Sequence, residues 1–212
     1  MVITMIHSLT ELSPSARLWG SLWGDRPRDW AGNEEQQLPV YEAALERTGV
    51  QPGDRVLDVG CGTGVFLRLC ADRGARVSGI DATEDLLARA RARVPEADLR
   101  LGDMQSLPFR DDEFDLVTGF TSFFYADDVV AALREAARVS RDRVVVHTFG
   151  HPERCDVLPD DSDWRPEIVE EVVPRAGLAV ERSFVLEWAY ADGVSNEWQI
   201  VVARPAAWSP AR

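Results

Sequence analysis

A glycine-rich run and three acidic residues carry the clearest chemical signal in this sequence. The run and its flanks comprise Asp58, Gly60, Cys61, Gly62, Thr63 and Gly64, and the other two acids are Asp81 and Asp103. Glycines allow a sharp turn and let a ligand lie against bare backbone, while amide groups at the start of a following helix can meet a carboxylate. Carboxylates accept hydrogen bonds, so we expect Asp81 to accept hydrogen bonds from the two hydroxyls of a ribose. We expect Asp103 to accept a hydrogen bond from the amino group of an adenine, with Met104 packed on the ring.

The spacing of the glycines separates two classes of nucleotide ligand. A dinucleotide fingerprint reads G-x-G-x-x-G and would need glycine at position 65, where this chain has Val65. Asp58 also places a negative group beside the loop, which suits a cationic ligand better than a pyrophosphate. The run therefore favours a positively charged adenosyl compound, and a nicotinamide dehydrogenase is the disfavoured alternative.

Alternating strands and helices surround these motifs and would bring them to one edge of a sheet. Apolar β-branched runs predict strands, and amphipathic runs bounded by Gly, Pro or a capping residue predict helices. The predicted strands are 56–59, 76–81, 99–101, 114–119, 144–149, 183–190 and 197–203. The predicted helices are 34–47, 64–73, 83–94, one from 127 or 128 to 138, and 166–176. Repeated strand–helix units imply a parallel sheet covered on both faces, whose ligands lie beyond the carboxyl ends of the strands.

Composition and charge narrow the classes of partner. The 212 residues are 45% hydrophobic and 28% charged, a balance typical of a soluble domain. Acids outnumber bases 36 to 23, for a net charge of −13, which disfavours nucleic acid and anionic membranes as partners. Cys61, Cys70 and Cys155 form neither a disulfide framework nor a zinc pattern. With no signal-peptide pattern and no long apolar span, the expected location is the cytoplasm.

Four motifs in order resemble those of class I S-adenosylmethionine-dependent methyltransferases. They are VLDVGCGTG at 56–64, GID at 79–81, GDM at 102–104 and FDLV at 114–117. The resemblance implies S-adenosylmethionine as cofactor, with its methionine part on the glycine-rich loop, its ribose at Asp81 and its adenine at Asp103. Ala82 and Phe120 belong to the same implied cofactor site. The resemblance also implies a Rossmann-like α/β fold, with a mostly parallel seven-stranded sheet in the order 3-2-1-4-5-7-6 and helices on both faces.

The reaction implied by this resemblance needs alignment more than acid–base chemistry. The sulfonium already makes the methyl group electrophilic, so the enzyme must hold an acceptor in line and exclude water; a base is needed only when the acceptor loses a proton. The catalytic candidates are His147, His151 and Tyr125, in or after the fourth and fifth strands. A packed histidine at the rim of the core is the alternative for both histidines. No metal site is expected from His147, His151 and Cys155, because no fourth ligand accompanies them.

The first 48 residues differ from the rest of the chain. They hold Trp19, Trp23 and Trp30 among Ser, Pro, Gly and Asp, and they predict a lid or cap on a cofactor-binding domain at 49–212. The alternative is that these tryptophans only pack the segment onto the domain. The short acidic stretch 156–163 leaves an open pocket in this interpretation, which a second copy of the chain would close as a homodimer.

Two functions stay open at this stage. The first is a methyltransferase acting on an O or N atom of a small-molecule acceptor. The second is a regulatory module that binds S-adenosylmethionine without catalysis. The complete set of motif acids favours cofactor binding in either case, so only turnover separates the two.

Overall fold

The computed structural model describes residues 12–25, 34, 37–149, 166–189 and 195–206, and its architecture is a seven-stranded sheet between helices. The strands are β1 (Arg55–Val59), β2 (Arg76–Asp81), β3 (Asp98–Leu101), β4 (Phe114–Gly119), β5 (Ser140–Phe149), β6 (Leu178–Ala189) and β7 (Ser195–Pro205). Their order is β3-β2-β1-β4-β5-β7-β6, with parallel pairing from β3 to β5 and β7 antiparallel to both of its neighbours. The predicted fold class and strand order are confirmed.

Helices cover the two faces of this sheet. They are α1 (Pro14–Asp25), α2 (Leu38–Thr48), α3 (Val65–Asp72), α4 (Glu84–Arg93), α5 (Val129–Val139) and α6 (Pro166–Arg175). Side chains alternate between the faces along a strand, so Val56 of β1 packs in one apolar cluster and Leu57 in the other. The cluster around Val56 includes residues of α2, α3 and α4, whereas that around Leu57 includes residues of α5 and α6. The central strands are thereby buried on both sides.

Local sequence explains where several helices begin. Ser13 accepts the amide of Ala16 at the start of α1, and Asp128 accepts the amide of Ala131 at the start of α5. Thr83 stands at the N-cap of α4 as predicted, yet its side chain makes no capping hydrogen bond. The Thr83 amide instead donates to Asp81 Oδ1 at 2.9 Å, which ties the helix start to the end of β2.

Two strands, β5 and β6, begin several residues earlier than the sequence pattern predicts. In the structure β6 begins at Leu178, whereas the sequence pattern predicts a start at 183. A register shift between Val180 and Arg182 interrupts the pairing of this early part with β7. Strand β5 begins at Ser140 instead of at 144, across a polar run that pairs with β4 through a second irregularity. Irregular pairing breaks the two-residue alternation on which the strand prediction depends. The predicted turn around Asp192-Gly193 lies outside the described residues.

The N-terminal helices pack on different parts of the domain. The first, α1, contacts α4 and the short 3-10 turn Phe123–Tyr125, whereas α2 packs against α3. The loops after β1, β2, β3 and β4 therefore meet at one edge of the sheet with α1 beside them. No helix among the described ranges has the length and apolar character of a membrane span.

Candidate functional site

The glycine-rich loop adopts a conformation that needs its glycines. Gly60, Gly62 and Gly64 have φ angles of 74°, 52° and 79°, all in the left-handed region. A Cβ atom added to Gly60 would stand 2.4 Å from Cβ of Ser122, far inside van der Waals contact. The first glycine therefore lets the loop after β4 close directly over the loop after β1.

Most backbone amides of this loop already have partners within the protein. The amides of Gly60 and Cys61 donate to the carbonyl oxygen of Ile80 at 2.8 and 3.1 Å. The amide of Gly62 donates to Asp81 Oδ2 at 2.9 Å. These contacts fasten the loop to the end of β2 and use donors that a pyrophosphate would otherwise need.

A buried acid from the N-terminal segment occupies the start of α3. Glu34 is 3% exposed, and its carboxylate accepts the amide of Thr63 at 3.0 Å and the Thr63 hydroxyl at 2.6 Å. A longer bond of 3.4 Å comes from the amide of Val65. The helix start thus binds a carboxylate, as its geometry predicts, but the carboxylate is the protein's own. Sequence reasoning missed Glu34, because the run Glu34-Glu35-Gln36 resembles an ordinary polar surface.

Burial sets the protonation of the acids around the loop. Asp58 is 3% exposed and accepts the hydroxyl of Thr118 at 2.7 Å. Burial raises the pKa of Asp58 to about 8, and the nearby charges of Glu34 and Asp81 act in the same direction. Burial also raises the pKa of Glu34 and of Asp81, against the lowering effect of their hydrogen bonds. The loop therefore holds carboxyl groups that a positively charged ligand would stabilise in the ionised form.

A cavity of about 670 Å³, including space open to solvent, lies at this edge of the sheet. Its walls come from α1, from the loops after β1, β2 and β3, and from the turn after β4. The predicted site residues that line it are Gly60, Gly62, Asp81, Ala82, Asp103, Met104 and Tyr125. The predicted site residues that the structure describes outside its lining are Asp58, Cys61, Thr63, Gly64, Phe120 and His147. His151 lies outside the described residues.

The two downstream acids keep acceptor capacity toward the cavity. Asp81 accepts the amides of Gly62 and Thr83, one on each oxygen. Asp103 accepts the amide of Gln105 on Oδ1 at 2.8 Å and the amide of Ser13 on Oδ2 at 2.7 Å. Each carboxylate oxygen has more than one lone-pair direction, so both side chains can accept a further donor.

The first helix closes one side of the cavity. Trp19 packs on Tyr125 with ring centroids 4.5 Å apart, and Trp23 also lines the space. A Cβ atom on Gly20 would stand 2.5 Å from the carbonyl oxygen of Ala82, so α1 lies directly on the loop after β2. Of the predicted lid tryptophans, Trp30 lies outside the described residues.

His147 is buried beside the turn that follows β4. The ring is 1% exposed, lies 3.8 Å from the ring centroid of Trp198, and accepts the amide of Thr121 on Nδ1 at 3.1 Å. Burial holds the pKa of His147 well below its usual range. Catalysis by this residue stays a prediction, and its imidazole is neutral in this setting.

Ser122 is a second residue that sequence reasoning did not single out. Its side chain is 4% exposed, it lines the cavity, and its Oγ atom has no hydrogen-bond partner among the described residues. A buried hydroxyl without a partner is costly, and a bound polar group would supply the missing hydrogen bond. Within the described ranges, no cluster of three or more His, Cys, Asp or Glu side chains is placed to hold a metal ion.

The sequence of this chain is similar to those of known methyltransferases. Residues 57–146 match the family profile for a methyltransferase domain. An uncharacterized protein of Mycobacterium tuberculosis is 39% identical over 152 residues, which are 68% of this chain and 55% of that protein. A malonyl-[acyl-carrier protein] O-methyltransferase of Serratia marcescens is 36% identical over 110 residues, 52% of this chain and 43% of that enzyme. The chain thus matches about half the length of these relatives.

A solved structure extends the likeness to nearly the whole chain. Magnesium protoporphyrin IX methyltransferase from Synechocystis, determined with bound S-adenosylmethionine, superposes with a TM-score of 0.68 at 16% identity. The superposition covers 91% of this chain and 98% of the other. At that identity the likeness establishes the fold, and the chemistry has to be argued from the residues.

Proposed function

We propose that the chain is a class I S-adenosylmethionine-dependent methyltransferase that methylates an O or N atom of a small molecule, which the match of residues 57–146 to a methyltransferase-domain profile supports. The observation that carries the proposal is the arrangement of donors and acceptors beside the cavity. Backbone amides of the glycine-rich loop donate to groups of the protein itself, whereas Asp81 and Asp103, whose carboxylates can accept hydrogen bonds, line the cavity. Such a site fits a cationic nucleoside and does not fit a pyrophosphate.

The residues present fit S-adenosylmethionine at both of its ends. Asp81 would accept the two ribose hydroxyls, and Asp103 the adenine amino group, with Met104 against the base. Gly60 and Ser122 pack closely together, since a Cβ on Gly60 would collide with Ser122, and both line the cavity where the amino-acid end would lie. The buried Ser122 hydroxyl would gain a polar partner from that end. When bound, the cofactor supplies an electrophilic methyl group on a sulfonium.

The chain's own residues then align the acceptor and exclude water. Trp19, Trp23 and Tyr125 form an apolar wall of the same cavity, which suits an acceptor with a flat or apolar body. Excluding water protects the sulfonium and strengthens electrostatic contacts in the site. The Tyr125 ring would pack on the acceptor, and no covalent enzyme intermediate is needed.

Proton transfer has a limited place in this proposal. His147 lies outside the cavity lining and its Nδ1 atom is engaged by the Thr121 amide, so we do not assign it the role of base. An acceptor that is already nucleophilic, or that loses its proton to water after transfer, needs no base. The net charge of −13 supports a small molecule over nucleic acid as acceptor.

Asp81→Asn tests the cofactor site. The substitution keeps the size of the side chain and removes its charge, so S-adenosylhomocysteine should bind about 1–3 kcal/mol more weakly. Isothermal titration of the folded variant measures this. Asp98→Asn is the matched control, because Asp98 is an exposed acid at the opposite end of β3 and forms a surface ion pair with Arg100.

Unchanged affinity in folded Asp81→Asn would remove Asp81 from the site. Turnover is tested separately, by incubating the chain with S-adenosylmethionine and a panel of phenols, carboxylic acids and amines and measuring S-adenosylhomocysteine. Tight binding with no product from any acceptor would favour the regulatory module over the enzyme.

A further inference from the structure

The turn after β4 contains a residue in an unusual backbone conformation. Thr121 has a φ angle of 50°, in the left-handed region, although it is β-branched and 3% exposed. Branched side chains rarely adopt this conformation, because Cβ crowds the following carbonyl. Such a residue persists only where its surroundings hold it, and it often marks a functional constraint.

His147 supplies the hold on this turn. Its Nδ1 atom accepts the Thr121 amide at 3.1 Å, which links β5 to the turn after β4. The rings of Trp198 and Phe120 pack on the imidazole with centroids 3.8 and 6.2 Å away. An accepting Nδ1 requires a neutral ring whose proton is on Nε2, since an imidazolium can only donate.

The same turn delivers two side chains to the cavity. Thr121 and Ser122 both line it, and Ser122 Cβ lies against the position that a side chain on Gly60 would take. The Ser122 hydroxyl, which has no hydrogen-bond partner in the described part of the chain, is therefore placed by the left-handed residue immediately before it. A small rotation of this turn would move the hydroxyl away from the glycine-rich loop.

We propose that His147 is a positioning residue, whose neutral Nδ1 holds the left-handed turn at Thr121 so that the Ser122 hydroxyl meets the amino-acid end of the cofactor. The inference rests on the proposed function for the identity of that ligand. It gives the histidine a different role from a base, because the imidazole is buried and lies outside the cavity lining. The Thr121 amide and the rings of Phe120 and Trp198 face the imidazole, and none of these three groups is charged. Burial keeps the pKa of His147 low, so the contact persists through neutral pH.

A double-mutant cycle with a rescue variant tests this role. His147→Leu removes the acceptor, and we expect S-adenosylhomocysteine affinity to fall about tenfold or more; His147→Asn restores an acceptor near Nδ1 and should stay within about threefold of wild type. Thr121→Gly keeps the amide and removes the conformational strain, so His147→Leu should cost clearly less in that background. Ser122→Ala should weaken binding to a similar extent and should not add to His147→Leu.

The outcomes separate this inference from the proposed function. If wild-type protein fails to bind S-adenosylhomocysteine, the proposed function itself is wrong. If wild type binds, but His147→Leu costs as much affinity in the Thr121→Gly background as in wild type, or folded His147→Asn is as weak as His147→Leu, the positioning role is overturned. Nitrogen-15 NMR of the wild-type imidazole gives a readout independent of variant folding. The expected state is the neutral Nε2-protonated tautomer at pH 7, and an imidazolium or an Nδ1-protonated ring would contradict the proposal.

Discussion

At the scale of residues, the site is built from carboxyl groups that burial makes expensive to ionise. Asp58, Glu34 and Asp81 surround one loop, and the pKa of each is raised by desolvation. Asp58 gains a neutral hydrogen bond from Thr118, which only partly offsets its burial. Ionisation of these carboxyl groups is unfavourable in the protein alone and becomes favourable when a cation binds. The sulfonium of the proposed cofactor carries such a positive charge.

Asp58→Asn should make stability less dependent on pH. The folded-state pKa of Asp58, about 8, lies above the ordinary value of 3.8, so the folded chain binds this proton more tightly than the unfolded chain does. The stability that this bound proton contributes is complete below pH 3.8 and is lost as the pH rises toward 8. Asn does not titrate, so the variant shows no such loss of stability. Urea unfolding should show that the variant gains a few kcal/mol over wild type between about pH 4 and pH 8. Exposed Asp98→Asn should follow the wild-type profile, and an Asp58→Asn profile parallel to wild type would show that Asp58 is ionised in the fold.

The motif acids could be predicted from sequence, whereas Glu34 and Ser122 could not. Asp81 and Asp103 stand at or just after the ends of strands, so their edge of the sheet follows from topology alone. Glu34 reaches Thr63 from 29 positions away, and nothing in the local sequence marks that contact. The position of the Ser122 side chain depends on the left-handed backbone conformation of Thr121, and a threonine in the sequence does not predict that conformation.

At the scale of elements, α1 decides how the cavity is closed. It is fixed by hydrogen bonds at its start, from Ser13 to Asp103 and between Ser15 and Asp127, and by close backbone contact at Gly20. The composition of the N-terminal segment predicts a lid or cap, and residues of α1 line the cavity; a role as a lid stays a prediction. The predicted boundary at residue 48 remains a prediction, because residues 1–11 and 26–33 are outside the described part of the chain.

Gly20→Ala and Gly24→Ala form a matched pair that tests this cover. Both changes add a methyl group to the same helix and should raise its intrinsic helix stability by up to about 1 kcal/mol. At Gly20 the new Cβ would collide with the Ala82 carbonyl oxygen at 2.5 Å, whereas at Gly24 the nearest atom, Asp85 Oδ2, is 3.7 Å away. We therefore expect Gly20→Ala alone to weaken S-adenosylhomocysteine binding and shift tryptophan emission to longer wavelength. Equal behaviour of the two variants would show that α1 is not part of the binding site.

The sequence pattern predicts the boundaries of some strands and misses those of others. The bounds of β2 and β4 match the prediction residue for residue. The early starts of β5 and β6 fall on charged residues such as Arg143 and Arg182, which tertiary pairing overrides.

At the scale of the whole molecule, the fold brings the carboxyl ends of four parallel strands to one edge and closes it with an N-terminal helix. The strand order was predictable only through the resemblance carried by four motifs, since periodicity alone does not specify the order of strands. The antiparallel pair β6–β7 adds width to the sheet beyond β5, away from the cavity.

A ligand that binds only the folded chain should stabilise it as a whole. At 100 times its dissociation constant, S-adenosylhomocysteine should add about 2.7 kcal/mol, which corresponds to a rise in Tm of roughly 5–10 °C for a domain of this size. Differential scanning fluorimetry measures the shift, and NADH serves as the control dinucleotide. An equal shift with NADH would return the dehydrogenase to consideration.

A crystal structure of this chain grown with S-adenosylhomocysteine tests the proposed cofactor site most directly. We expect the ribose hydroxyls on Asp81, the adenine amino group on Asp103 and the amino-acid end between Gly60 and Ser122. A ligand bound elsewhere, or bound here with its ribose away from Asp81, would contradict this expectation.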